Sequence, residues 1–330
     1  MSSTIDQVAA RAGVSMKTVS RVLNNEPHVR PELRERVRQA VEELGYHPSQ
    51  AARRLAGRKS FLVAFLFNNP NPGYIAAVQS GAALRCREIG YHLVIEPFEL
   101  AGQARFEVLE RLVTALHPDG LFLTPPLSDD VDLLAEIQRR GVKCVRIAGG
   151  GPGPGINLAT REAEGARSAV KHLISLGHRR IAMVAAPASH RAAAERYEGY
   201  RQALEAAGIA VDPSLVVPGA FDAESGEAAA AALLDRPERP TAIFAASDEM
   251  ALGVMRTAVR LGVAIPRDLS LVGFDDTPAS RSVHPALTTV RQPLEQMGAA
   301  AVDALVGASD EARLDWRFDL VVRDSTAPLP

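Results

Sequence analysis

In the stretch "VSMKTVSRVL", residues 14–23, two cations stand one helical turn apart. Read as a helix entered at Ser15 and turning ~100° per residue, it places Val22 and Leu23 within about 60° of Val19. Lys17 and Arg21 then lie roughly 160–200° away, on the opposite side. Cations so placed donate to phosphate oxygens or to guanine O6 and N7, and the neighbouring Met16 suits a thymine methyl. The plainer alternative is a solvated face on a small helical bundle. A second set of chemistry-bearing residues closes the apolar runs further along. Asn68 and Asn69, Thr124, Ala148, Ser247 and Asp248, and Asp275 and Asp276 sit at their ends, with Arg196 in "AERYEGY" and Phe221 in "PGAFDAESG". Fixed carboxylates and a guanidinium hold paired hydroxyls, and an aromatic ring covers the apolar face of a sugar. The acids would repel a phosphate ester, so the set fits a neutral polyol better. The alternative for Ser247, Asp248 and Asp275 is that they merely cap the helices that follow.

The cations need a scaffold, and the first 58 residues supply one. "TIDQVAARA" carries Ile5, Val8, Ala9 and Ala12 on one face, with Thr4 and Gln7 placed as a capping box. Gly13 provides the positive φ of a tight turn, and Ser15 N-caps the next helix. Pro31 suits a first helical position, followed by a stripe of Leu33, Val37, Ala40, Val41 and Leu44 that ends near Gly45. Three short helices with a glycine turn between the first two make a helix-turn-helix domain, whose second helix lies in the DNA major groove. "SQAARRLAG", residues 49–57, reads as a further helix between Ser49 and Gly57, too short to be stable alone in water.

Charge is divided in the same place. The 330-residue chain has a formal net charge of −2, but residues 1–60 hold 11 Lys/Arg against 6 Asp/Glu, and the remainder 26 against 33. A basic head on an acidic body points to an anionic partner for the head, nucleic acid being the commonest large one. Cys86 and Cys144 lie in apolar contexts without metal spacing. "MSSTIDQVAARAG" has no apolar signal region and no run of about 18 apolar residues follows, so a cytoplasmic protein with no membrane partner is expected.

From Phe61 onward, "FLVAFLF", "YHLVIEP", "GLFLTPP", "KCVRIA", "RIAMVAA", "TAIFAAS" and "LSLVGFD" read as buried parallel strands. Helical stretches at 76–89, 103–116, 163–176 and 247–261 separate them. The alternation implies doubly wound α/β sheet in two lobes, with ligands bound beyond the carboxyl ends of strands.

"TIDQVAARAGVSMKTVSRVLNN" followed by "VRPELRERVRQAVEELGYHPSQAARRLAGRKS" resembles the LacI/GalR family of bacterial transcription regulators. The resemblance continues in "HLISLGHRRIAMV", "PTAIFAASDEMALGVMRTAVRLGVAIPRDLSLVGFDD" and "PALTTVRQPLEQMGAAAVDAL" and covers essentially the whole chain. It implies a helix-turn-helix domain over 1–47, a hinge over 48–58, and an α/β two-lobed periplasmic-binding-protein-like (type I) core over 59–330. The first lobe is expected at about 59–160 plus 291–319, the second at about 161–290 plus 320–330.

By the same resemblance Met16, Lys17, Ser20 and Arg21 face the major groove, while Thr4, Ser15, Thr18, Asn24 and His28 contact phosphate. Ala52, Arg53, Arg54 and Leu55 form the hinge, Leu55 wedging into the minor groove. Effector contacts fall to Arg196, Asp275 and Gln292, and more loosely to Asn68, Tyr74, Thr124, Phe221, Ser247 and Asp248. The chain departs from the family pattern at Ser247, where asparagine is frequent, and at Ala148, where aspartate is frequent, so no relative's ligand carries over directly.

Enzyme readings fail on spacing. "GGGPGPG", residues 149–155, contains neither GxGxxG nor GxxxxGK[ST], Ser189–His190–Arg191 follows no GxSxG elbow, and the histidines lack metal spacing. No catalytic residue, cofactor or metal is expected. The expected partners are a pseudo-palindromic operator duplex, a mono- or oligosaccharide, and a second copy of the chain. Sugar closing the lobes would separate the hinge helices of a homodimer. The alternatives are a corepressor such as a nucleobase, or a transport-type sugar-binding protein. "LVVRDSTAPLP" carries no leucine heptad, which argues against a coiled-coil tetramer.

Overall fold

Three helices build the amino-terminal unit of the computed structural model, which describes residues 3–23, 27–46, 59–98, 102–187, 190–307 and 316–329. The chain divides into two units, Met1–Phe61 and Leu62–Pro330. Helix α1, Ile5–Ala12, is entered through the expected capping box: the Gln7 N–H donates to the Thr4 hydroxyl (3.4 Å) and the Thr4 N–H to the Gln7 side chain (2.9 Å). It ends at Gly13, at φ 62°, where a Cβ would strike the Arg36 guanidinium that donates to the Ala12 carbonyl. Helix α2, Met16–Leu23, and helix α3, Pro31–Glu43, complete the unit around Val8, Val19 and Val37, all fully buried. The hinge residues Ala52, Arg53, Arg54 and Leu55, and Asn24, lie outside the described residues.

The second unit carries two sheets. The first takes β1 (Leu62–Phe67), β2 (His92–Pro97), β3 (Gly120–Leu123), β4 (Cys144–Ile147) and β5 (Ile156–Leu158) in the order β2-β1-β3-β4-β5, all parallel. Its helices are α4 (Pro72–Glu88), α5 (Ala104–Arg111) and α6 (Val131–Arg139). The second sheet takes β6 (Ile181–Ala185), β7 (Val216–Pro218), β8 (Ala242–Ala245), β9 (Ser270–Asp275), β10 (Thr288–Arg291) and β11 (Asp319–Val321), ordered β11-β10-β9-β8-β6-β7. Helices α7 (Glu162–Ser175), α8 (Arg191–Ala206), α9 (Ala223–Leu234), α10 (Asp248–Arg260) and α11 (Pro278–Ser282) accompany it. The central strands are buried on both faces, which is why they read as unbroken apolar runs.

Each of the seven anticipated runs contains a strand. Strands β5, β7, β10 and β11 were not anticipated: they are three or four residues long, with at most three consecutive apolar residues to mark them. Strand β11 is also antiparallel to β10, against the expectation of parallel strands. The 103–116 stretch is α-helical only to Arg111 and continues as a π-helical turn, Leu112–Leu116.

The chain returns to the first lobe for α12, Leu294–Val306, which packs on α4 through two glycines. A Cβ on Gly81 would overlap the Glu295 backbone, and one on Gly298 would overlap the Val78 carbonyl. By Phe318, whose ring lies 5.9 Å edge-on to Phe274, it is back on the second lobe, ahead of the expected return at 320. Among the described residues no helix is long and apolar enough to cross a membrane.

Candidate nucleic-acid interface and ligand cleft

Burial of Val19 and Val22 fixes the roll of α2 and leaves the other side outward: Met16, Lys17 and Arg21 are exposed and Ser20 half-exposed. Ser15 caps the helix, accepting from the Thr18 N–H at 3.2 Å, while its hydroxyl lies 2.9 Å from that of Thr18. Thr4 and Ser15 therefore mark the starts of α1 and α2, where amide N–H groups favour anions such as phosphate. His28 is exposed in the turn before α3.

The larger unit holds its polar groups where its two lobes meet. Asp275, at the end of β9, accepts from the Asn71 side chain of the first lobe (2.7 Å) and from Gln292 (2.6 Å), with the Arg196 guanidinium 3.8 Å away. Arg196, on α8, also donates to Glu162 (2.8 Å) and to the Ala246 carbonyl (2.5 Å), and lies 3.9 Å from the Phe274 ring centre. All five polar side chains are at least nine-tenths buried. Burial works against the Arg196 charge, yet Glu162 and Asp275 more than offset it and raise its pKa. Burial pushes the Asp275 carboxyl above the usual carboxylate range, and Arg196 pulls it back. The Tyr74 hydroxyl is pushed far up by burial, with Glu162 and Asp275 adding to the effect.

Asn69, Pro125, Ala148, His190 and Phe221 continue the wall. The space left between these side chains holds about one water molecule. Ala148, Phe221 and Asp275 hold φ of 52°, 65° and 119°. Such backbone costs on the order of 1–3 kcal/mol per residue and persists where the surroundings impose it, a pattern that clusters at functional sites.

The cleft thus brings together Tyr74, Arg196, Phe221 and Asp275. Other expected contacts stand elsewhere. Asn68 is exposed and outside the wall, and Asn69 and Asn71 stand where it was expected. Thr124 is fully buried next to Pro125, its hydroxyl without a hydrogen-bond partner among the described residues. Ser247 N-caps α10 through the Met250 N–H. Asp248 is taken up internally, accepting from the Thr277 N–H and hydroxyl and from the Thr289 hydroxyl. Gln292 acts on Asp275 rather than lining the free space. The sequence reading missed Asn71, Glu162 and His190. Asn71 precedes "PG" and reads as an N-cap, which it also is, accepting from the Tyr74 N–H; Glu162 reads as an ordinary first-turn acid.

A helix-turn-helix unit followed in the chain by a two-lobed α/β body with a polar cleft defines a ligand-responsive DNA-binding regulator. Residues 4–49 match the bacterial regulatory proteins of the lacI family, and residues 170–326 a periplasmic binding protein-like domain. HTH-type transcriptional regulator CelR of Thermobifida fusca is 37% identical over 345 residues, covering 98% of each chain. A solved transcriptional regulator CelR–cellobiose complex superposes with TM-score 0.72 at 34% identity, over 98% of this chain and 99% of that one. The lac repressor dimer bound to operator and the anti-inducer ONPF does so with TM-score 0.78 at 31% identity, over 99% and 100%. The chain belongs to the LacI family of bacterial regulatory proteins.

Proposed function

We propose that the protein is a cytoplasmic, homodimeric repressor, not an enzyme, that releases its operator when a small neutral carbohydrate occupies the cleft. The observation that carries this reading is the position of Asp275. It takes Asn71 of the first lobe while standing beside Arg196 on its own, so a ligand hydroxyl that replaces the Asn71 contact changes how the lobes hold together. Two carboxylates, Glu162 and Asp275, already match Arg196, which favours hydroxyls over an anionic ligand. The cellobiose complex of CelR supports a sugar, and the operator-bound lac repressor dimer supports both DNA and pairing. An exposed apolar groove on the second lobe, with Leu252, Met255, Val283 and the 80% exposed Val259, suits a second copy.

A sugar ring does not fit the free space present, so entry must part the lobes before they close on it. Sugar closing the lobes would then lower operator affinity. Operator in turn weakens sugar binding by the same factor, typically 5–150-fold. Duplexes selected from a random pool, followed by fluorescence anisotropy under titration with a sugar panel, test the reading. Release by one sugar is expected. Failure to retain any duplex at low salt would remove it.

A further inference from the structure

Helix α1 closes on a left-handed glycine. The Gly13 N–H donates to the Ala10 carbonyl (3.2 Å) and the Val14 N–H to the Ala9 carbonyl (3.0 Å). The carbonyls of Ala12 and Gly13, at the end of the helix where partial negative charge gathers, take a side chain instead. From α3, the Arg36 guanidinium donates through Nη2 to the Ala12 carbonyl and, at 3.4 Å, to that of Gly13. Gly13 permits this twice over. Its φ of 62° turns the chain, and its missing Cβ leaves the space that Arg36 fills, since a Cβ there would lie 2.6 Å from Nη2. Arg11 and Glu43 (2.5 Å) join the last turns of α1 and α3 as well, and Gln39 donates to Glu43 at 3.1 Å.

Only Gly13, Val14 and Ser15 separate α1 from α2, so their backbone sets the direction in which α2 leaves. Burial of Val19 and Val22 fixes the roll of α2 on the core, but not the tilt of its first turn, which carries Met16 and Lys17. Reading base edges requires side chains held to within about 0.5 Å and 10–20° by their supporting residues. Contacts to phosphate carry no sequence information and tolerate a shift of that size more readily.

We propose that Arg36 is a positioning residue for operator recognition: by holding the Ala12 and Gly13 carbonyls it fixes the exit of α2, and so the angle at which α2 meets base edges, without touching DNA itself. The proposal rests on the operator reading above. Fluorescence anisotropy of the full chain tests it, with a selected operator and an unrelated duplex over a series of salt concentrations. Arg36→Ala removes the clamp, and Arg36→Lys keeps a cation that can donate to the same carbonyls. Gly13→Ala places a methyl where the guanidinium lies.

Arg36→Ala should lower operator affinity about tenfold while affinity for the unrelated duplex changes less than about twofold and the salt slope holds. Arg36→Lys should recover most of the loss. Gly13→Ala combined with Arg36→Ala should cost less than the product of the two separate losses, because each removes the same contact. Unchanged operator affinity in Arg36→Ala would overturn the assignment, as would fully multiplicative losses. A salt slope lower by about one, with both duplexes weakened alike, would make Arg36 a phosphate contact instead. Equal weakening with a head partly unfolded by circular dichroism would reduce it to a structural support. Each of these results leaves the operator reading standing; a wild-type chain that retains no duplex at low salt would remove both.

Discussion

The Asn71 side-chain amide donates to the Asp275 carboxylate across 2.7 Å, joining residues 204 apart in the chain and belonging to different lobes. Asp275→Asn tests what that contact does. The new amide NH₂ must face a donor, either Asn71 or Gln292, so one hydrogen bond is lost and a buried donor is stranded. A sugar affinity lower by about tenfold to a hundredfold, with operator affinity unchanged, is expected from titration calorimetry and anisotropy. An undiminished sugar response would show that the effector binds elsewhere.

Arg196→Ala leaves Glu162 and Asp275 buried without their cation. Removing one partner of a buried ion pair costs roughly 3–5 kcal/mol, so denaturant melts should show a loss of that size. A loss under about 1 kcal/mol, as for a surface pair, would contradict the burial assigned to this cluster.

On α2, Lys17→Ala or Arg21→Ala should cost about 1–3 kcal/mol of operator affinity and relax sequence preference where the lost side chain reads a base. A side chain that touches only phosphate would instead lower the salt slope by about one, with all sequences weakened alike. Binding by a set of single-substitution duplexes separates the two outcomes, and an unchanged profile would place both cations outside the interface.

Gly81→Ala forces a methyl into the Glu295 backbone where α4 and α12 cross. Overpacking against backbone should destabilise the chain by about 1–3 kcal/mol in urea melts. Ser80→Ala, one residue earlier and exposed, should stay within about 0.5 kcal/mol. Equal effects at the two sites would contradict the close crossing.

His178 is hydrogen-bonded to the Thr241 and Ser270 hydroxyls (3.0 Å each) and donates to the Ala327 carbonyl (3.1 Å), tying that segment to the second lobe. Burial lowers its pKa, the Ala327 contact opposing, and burial likewise lowers that of His172. The unfolded chain therefore takes up the proton first. This contribution to stability is complete above the ordinary imidazole pKa of about 6.5 and is lost as pH falls below it. Asp248 and Asp275, raised by burial, act with the opposite sign, their contribution fading as pH rises. The comparison with His178→Gln isolates the imidazole: its Tm should fall less than the wild type's between pH 7.5 and 5.5. Parallel Tm curves would assign the acid sensitivity elsewhere.

The features legible in the sequence are those made by neighbours a few residues apart. The Thr4–Gln7 box, the Gly13 turn and the cationic face opposite Val19 follow from helical periodicity and short-range caps, and seven strands from unbroken apolar runs. Arg196, in "AERYEGY", and Asp275, at the end of an apolar run, could be picked out as strong chemistry, but not their partners. Glu162 reaches Arg196 across 34 residues, and Asn71 reaches Asp275 across 204. Asp248, equally polar in the sequence, is consumed by Thr277 and Thr289. Local geometry and hydrophobic pattern therefore determined the elements and their outward faces by themselves. Only tertiary packing, within the second lobe for Glu162 and Asp248 and between the lobes for Asn71, decided which polar groups meet, because a carboxylate's role depends on whether donors from distant elements arrive beside it once water has been excluded.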